Sequence, residues 1–236
     1  MNTEKIQTHF RRKSIMTKHI LMVVTTADKM KDGHETGLWL SEFGEAYVEF
    51  DKKGYDITVA SPLGGKSPVD ARSLEGGETP QEILDTAKYL ENTIKLDEIT
   101  DVSKFDAIFL PGGHGTMFDL PDNVKLHQVI RELYEADKLV AAVCHGPAGL
   151  VGVKLSDGTP LVAGKTVTAF TDDEERETTL DKYMPFLLET RLRELGAEVI
   201  VTDNWTDHMQ ADGNLITGQN PQSTTSVAKE VVKQLG

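Results

Sequence analysis

The chain has 236 residues, 39% of them hydrophobic and 27% charged, with a formal net charge of −13. That length suits one large α/β domain with a substantial core, and the acidic balance argues against general binding to nucleic acid or to anionic membranes. A single cysteine excludes an intrachain disulfide, and no apolar run approaches the roughly 18 residues of a membrane span.

Residues 1–15 are polar, carry Lys5, Arg11, Arg12 and Lys13, and lack the apolar centre of a secretory signal. They read as a flexible extension before a single domain over residues 16–236. His19 to Val24 is a continuous apolar run and the predicted first strand. Thr25 to Thr36 is a polar loop. Gly37 to Lys53 follows helical spacing, with Leu38, Leu40, Phe43, Tyr47 and Phe50 on one broad face and Gly54 as its stop. Asp56 to Ser61 is a second strand. Pro62 to Thr79 is a long irregular stretch of the kind that often carries function.

Pro80 to Asn92 fits a helix. Phe105 to Leu110 is a strand that runs into Pro111-Gly112-Gly113-His114-Gly115. Val124 to Ala136 is a helix and Leu139 to Val143 a buried strand. Val162 to Phe170 is predicted as another strand, after the Asp157-Gly158 turn. Asp172 to Glu177 is acidic, and Phe186 to Leu195 is amphipathic up to Gly196. Glu198 to Thr202 is a strand, Met209 to Thr217 a hairpin about Asp212-Gly213, and Ser223 to Leu235 a terminal helix. Strands alternating with helices predict a three-layer α/β/α sandwich with a mostly parallel, flavodoxin-like sheet. Binding then belongs at the carboxyl ends of the strands.

Cys144 sits at one such end, between the strand Leu139 to Val143 and a helix-like segment that opens with His145-Gly146-Pro147. A nucleophile elbow at that position lifts the side chain off the sheet. The following helix would point its N–H groups and positive dipole end at the sulfur, which favours thiolate. The glycines of Gly112–Gly115 leave backbone N–H groups open for an oxyanion, and the amide of His145 is the second donor. His145 is a base adjacent in sequence. One carboxylate of Asp172-Asp173-Glu174-Glu175 lies where it can orient that imidazole.

The chain resembles the ThiJ/PfpI superfamily within the class I glutamine amidotransferase-like fold, and most nearly its heat-shock chaperone/glyoxalase III branch. The likeness rests on Thr36–Glu42, Leu110–Asp119, Val143–Ala148, Phe170–Glu175 and Thr217–Ser223, and spans nearly everything after Met16. It implies Cys144 as nucleophile, Glu42 as the buried carboxyl beside the thiol, His145 as base and Glu175 as the acid completing the set. Gly113, His114 and His145 would form the oxyanion and substrate-binding edge, and a homodimer is implied.

Two features depart from relatives. No His, Asp and Glu cluster defines a metal site. The late histidine, His208, lacks the His-x-Glu pattern of glutaminases. The reading is a cytoplasmic, cofactor-independent glyoxalase III acting on a small dicarbonyl, with no glutathione, nicotinamide or metal. A Cys-dependent deglycase or peptidase, or a stress holdase or redox sensor, would use the same cysteine.

Overall fold

In the computed structural model, which describes residues 17–75, 77 and 79–236, a seven-stranded sheet forms the middle layer. The extension expected over residues 1–15 lies outside those residues. The strands are β1 (His19–Val23), β2 (Asp56–Ser61), β3 (Ile94–Lys95), β4 (Ala107–Leu110), β5 (Leu139–Val143), β6 (Thr166–Val167), β7 (Glu198–Val199), β8 (Met209–Asp212) and β9 (Leu215–Gly218). The main sheet runs β3-β2-β1-β4-β5-β9-β8. Every pairing in it is parallel except the β8–β9 hairpin. Leaving aside the edge strands β3 and β8, this is the flavodoxin order, whose direction reverses between β1 and β4.

Alternation along the strands sorts the core into two halves. Ile20 and Met22 of β1, Phe109 of β4, and Ala141 and Val143 of β5 pack beneath α1 (Leu40–Asp51) and α7 (Thr224–Leu235). Leu21, Val23, Ile108, Leu110, Val140 and Ala142 pack on the other face. That face carries α4 (Val124–Glu135) and α6 (Leu188–Glu194). The short helices α2 (Gln81–Leu84), α3 (Thr116–Asp119) and α5 (Asp172–Thr178) lie in the connections. Among the described residues no helix is long and apolar enough to cross a membrane.

Helix α1 brings a carboxyl group into the core. Phe43 and Phe50 are fully buried, and Phe50 meets Phe109 edge-to-face at 5.6 Å. Each ring buried this way is worth about 1.5–3 kcal/mol. That stripe anchors the helix and carries Glu42, on the neighbouring face, into the interior.

Four expected elements come out differently. Val162 to Phe170 pairs only over β6, and Glu198 to Thr202 only over β7. Together β6 and β7 form a separate two-stranded sheet. Val162, Val167 and Ala169 of the first segment join the main core, whereas in the second only Val199 does and Ile200 and Val201 are exposed. Pro80 to Asn92 breaks after α2 into a 3-10 helix over Asp85–Leu90. The helix expected after Cys144 is a 3-10 turn, Gly146–Leu150. It is too short for an appreciable axial dipole, so the dipole expected to favour a thiolate is absent.

Candidate active site

Cys144 follows β5 directly and holds φ +59°, a backbone region that side chains other than glycine rarely enter. Strict alternation would send it with Val140 and Ala142 toward α4. Instead it packs with Val143, Phe43 and Phe170 on the α1 side. The left-handed residue reverses the side-chain direction, and this turn brings the sulfur to Glu42. The chain can then fold back because residue 146 is glycine: a Cβ there would stand 2.0 Å from the Leu110 carbonyl oxygen.

Glu42 is 0% exposed. Its Oε2 accepts the Gly112 N–H at 2.6 Å, Oε1 has no hydrogen-bond partner, and the Cys144 thiol stands beside the carboxyl group. Burial pushes its pKa up to about 8, against the smaller lowering effects of the thiol and the Gly112 amide. Near neutral pH Glu42 is therefore a carboxylic acid.

The thiol is also pushed up, first by burial and then by charge on Glu42. The sequence predicted the opposite. The 3-10 turn supplies no helix dipole, and the sulfur is buried. The second cause operates only when Glu42 is ionised. While Glu42 keeps its proton, its hydroxyl is a donor to a sulfur anion, so the two groups share one proton between them. The backbone amide of His145 acts on the sulfur in the same favourable sense.

On the other side of the thiol is a chain of imidazoles and a carboxylate. His145 Nδ1 lies 3.4 Å from Sγ, and its Nε2 lies 2.6 Å from Glu175 Oε2. Glu175 Oε1 is 2.8 Å from His114 Nε2. Burial would raise the pKa of Glu175, but the two imidazoles outweigh it and hold the carboxyl far below its usual range. Glu175 is therefore an anion, and both Nε2 atoms donate to it. With Nε2 donating to Glu175, Nδ1 is the ring nitrogen that faces the thiol and can accept its proton. Burial first, and His145 next, lower the pKa of His114 to about 4, so it stays neutral at pH 7.

Gly113 stands at φ +102°, where a Cβ would be 2.4 Å from the Gly37 carbonyl oxygen. The Thr116 hydroxyl lies 2.9 Å from the Gly113 carbonyl oxygen and 3.0 Å from that of His145. It ties together the two loops whose amides face the site. His114 was expected at the oxyanion edge, yet its side chain is turned inward to Glu175. Its Nδ1 is buried without a partner.

The acidic run divides. Glu174 is as buried as Glu175, but it serves the scaffold. It closes the capping box of α5 with Thr171 and accepts from the Trp205 amide, Gln219 and Asn220. Asp173 is a surface residue. Sequence reasoning missed Thr116 and Phe170 as site residues. Phe170 lies against the His145 ring, tilted by 37° with the centroids 4.3 Å apart, and donates its amide to the Cys144 carbonyl. Both lie inside segments carrying the family likeness, which was the only available signal.

The sequence offered no metal cluster, whereas the fold gathers one: ligand atoms of His114, His145 and Glu175 lie within 4.8 Å of one another. The Glu175 contacts, at 2.6 and 2.8 Å, are hydrogen-bond lengths. Two ligands each about 2.0–2.2 Å from a tetrahedral ion stand farther apart than that. As arranged, the three groups satisfy one another and do not fit a metal.

A family model described as DJ-1/PfpI family matches residues 34–234. A Schizosaccharomyces pombe protein, "Probable glutathione-independent glyoxalase hsp3103", is 32% identical, over 87% of this chain and 92% of its own. The crystal structure of glyoxalase III from Candida albicans is 30% identical with a TM-score of 0.82, covering 92% of this chain and 96% of that one. The X-ray structure of Francisella tularensis Rapid Encystment Protein 24 KDa is 33% identical with a TM-score of 0.86, covering 93% and 100%.

Proposed function

The chain belongs to the DJ-1/PfpI family, and from its site we propose a glutathione-independent glyoxalase, a lyase that converts methylglyoxal and water to lactate. The observation that carries this reading is the setting of Cys144. A protonated carboxyl, Glu42, stands on one side of it, and an acceptor nitrogen backed by an anion, His145–Glu175, stands on the other. A simple thiol hydrolase needs only the second. A proton transfer between two adjacent carbons needs the first as well.

Cys144 passes its proton to His145 Nδ1 as the sulfur attacks the aldehyde carbon. The new alkoxide takes the Glu42 proton while the Gly113 and His145 amides stabilise its charge. Glu42, now a carboxylate, removes the hydrogen from C1 as the protonated His145 gives its proton to the C2 oxygen, which yields the enediol and returns His145 to its neutral form. It then returns a proton to C2, and the C1 hydroxyl proton goes back to Glu42. The product is a thioester of lactate. Water, activated by His145, hydrolyses it and restores the thiol. Oxidation and reduction balance within the substrate, because C1 is oxidised and C2 reduced.

The family likeness implies a homodimer, which light scattering of the purified protein would read directly. The reaction itself is tested by NMR on protein stripped of metal and free of glutathione. Lactate should form from methylglyoxal, with deuterium at C2 in deuterated water if the enediol exchanges with solvent. Absence of lactate from the wild type would reject the reading.

A further inference from the structure

We propose that Trp205 sets the substrate class of this site, favouring 2-oxoaldehydes with a neutral aryl substituent whose ring rests against the indoles of Trp205 and Trp39. The inference rests on the glyoxalase reading and adds to it the shape of the substrate.

Trp205 holds φ +59°, a costly conformation for so bulky a residue. Strain of this kind persists only where the surroundings over-determine it, and it concentrates at functional positions. Here the restraints are specific. Its amide donates to the buried Glu174 at 2.8 Å, its indole N–H donates to Glu177 at 2.5 Å, and its ring meets Phe170 edge-to-face at 5.6 Å. Phe170 in turn lies against His145. Trp205 is nonetheless 39% exposed. A large ring that is both open to solvent and locked in direction binds with little ordering cost.

Trp39 is the chain's other tryptophan. Its amide donates to the Gly112 carbonyl at 3.1 Å, so it adjoins the other edge of the catalytic constellation. Both tryptophans line one cavity of about 610 Å³, together with Ser41, Ile83 and Pro221. Cys144 is not part of that lining. The cavity's two tryptophans adjoin the thiol's neighbours, Trp39 through Gly112 and Trp205 through Phe170 and His145, so we seat the tail of the substrate here and its dicarbonyl head toward the sulfur. Methylglyoxal would leave nearly all of it empty, since cavities of roughly 300–1,000 Å³ take ligands of drug size. Glu45, Glu49, Glu75 and Glu82 line the same space against Lys52 alone among the described residues, which selects against an anionic tail.

The test compares kcat/KM for phenylglyoxal and methylglyoxal in wild type, Trp205→Gly and Trp205→Phe. Glycine accepts the left-handed backbone, so the variant removes the ring without adding strain. Trp205→Gly should lower kcat/KM for phenylglyoxal by about tenfold and change methylglyoxal by less than about threefold, with Phe recovering most of the loss. Equal losses on both substrates, or none on either, would overturn the proposal.

Binding is read separately by indole fluorescence during titration with acetophenone, which lacks the aldehyde. Saturable quenching in wild type, weakened in Trp205→Gly, is expected. No quenching in wild type overturns the proposal even if methylglyoxal is turned over. Quenching without turnover of either aldehyde supports the aromatic mouth and rejects the glyoxalase reading instead.

Discussion

Glu42 on α1 and Glu175 on α5 meet the same cysteine–histidine pair, are 0% and 4% exposed, and carry opposite charge states at neutral pH. Burial acts on both in the same direction. What separates them is the count and kind of donors. Glu175 receives two imidazole N–H groups, whereas Glu42 receives one backbone amide and otherwise faces sulfur. Desolvation wins where donors are few and loses where charged or chargeable donors converge. One fold therefore holds an acid and an anion within reach of a single thiol, which is the requirement for moving a proton both ways.

The largest effect should come from removing the group between them. Cys144→Ala should abolish lactate formation from methylglyoxal, assayed by NMR, while the far-ultraviolet circular dichroism stays that of the wild type. Residual lactate at the wild-type rate would mean that neither carboxyl serves a thiol.

Glu42→Gln should lower turnover by about a hundredfold or more, the range for loss of a general acid–base. The same variant sharpens the comparison through pH. Glu42 has a folded pKa of about 8 against 4.5 for a freely solvated side chain. Below about 4.5 it is protonated whether the chain is folded or not. Between there and about 8 only the unfolded chain releases its proton, so wild-type stability falls as pH rises. Glu42→Gln should then melt higher than wild type at pH 8, with the gap closing toward pH 5. In wild type, turnover should also decline above pH 8 as the acid ionises. A melting difference independent of pH would show that Glu42 is an ordinary carboxylate.

Glu174 and Glu175 are adjacent and both buried, and they should fail differently. Glu175→Gln should lower turnover by about tenfold to a hundredfold by releasing His145. Glu174→Gln should chiefly lower the melting temperature, because it sets an amide among the donors of Thr171, Gln219, Asn220 and Trp205. Leaving one such buried group unpaired costs about 1–3 kcal/mol. Thermal melts and kcat measured on both variants check the division, and identical behaviour would erase it. The smallest effect belongs to Asp173→Asn. That carboxylate is 79% exposed and paired only with a half-exposed Arg176, so stability should move by less than about 0.5 kcal/mol in urea titrations.

The sequence by itself determined the layered α/β architecture, the strand that ends at Cys144, and the glycine-rich ends beside it. These are written in local pattern: the apolar runs of β1, β4 and β5, the helical stripe of Phe43 and Phe50, and the glycines that break each element. The family likeness, not the pattern, singled out Glu42 and Glu175 from their acidic neighbours. Tertiary structure alone decided which way Cys144 turns, which carboxyl keeps its proton, and which acid of the run serves the scaffold. It also decided that His114 points inward and that Trp205 stays open to solvent. The physical reason is separation along the chain. Glu42 receives its amide from a residue 70 positions away, and His145 meets its carboxylate 30 positions on. Burial periodicity is a property of neighbours, but a charge state depends on every donor the fold brings to the same point.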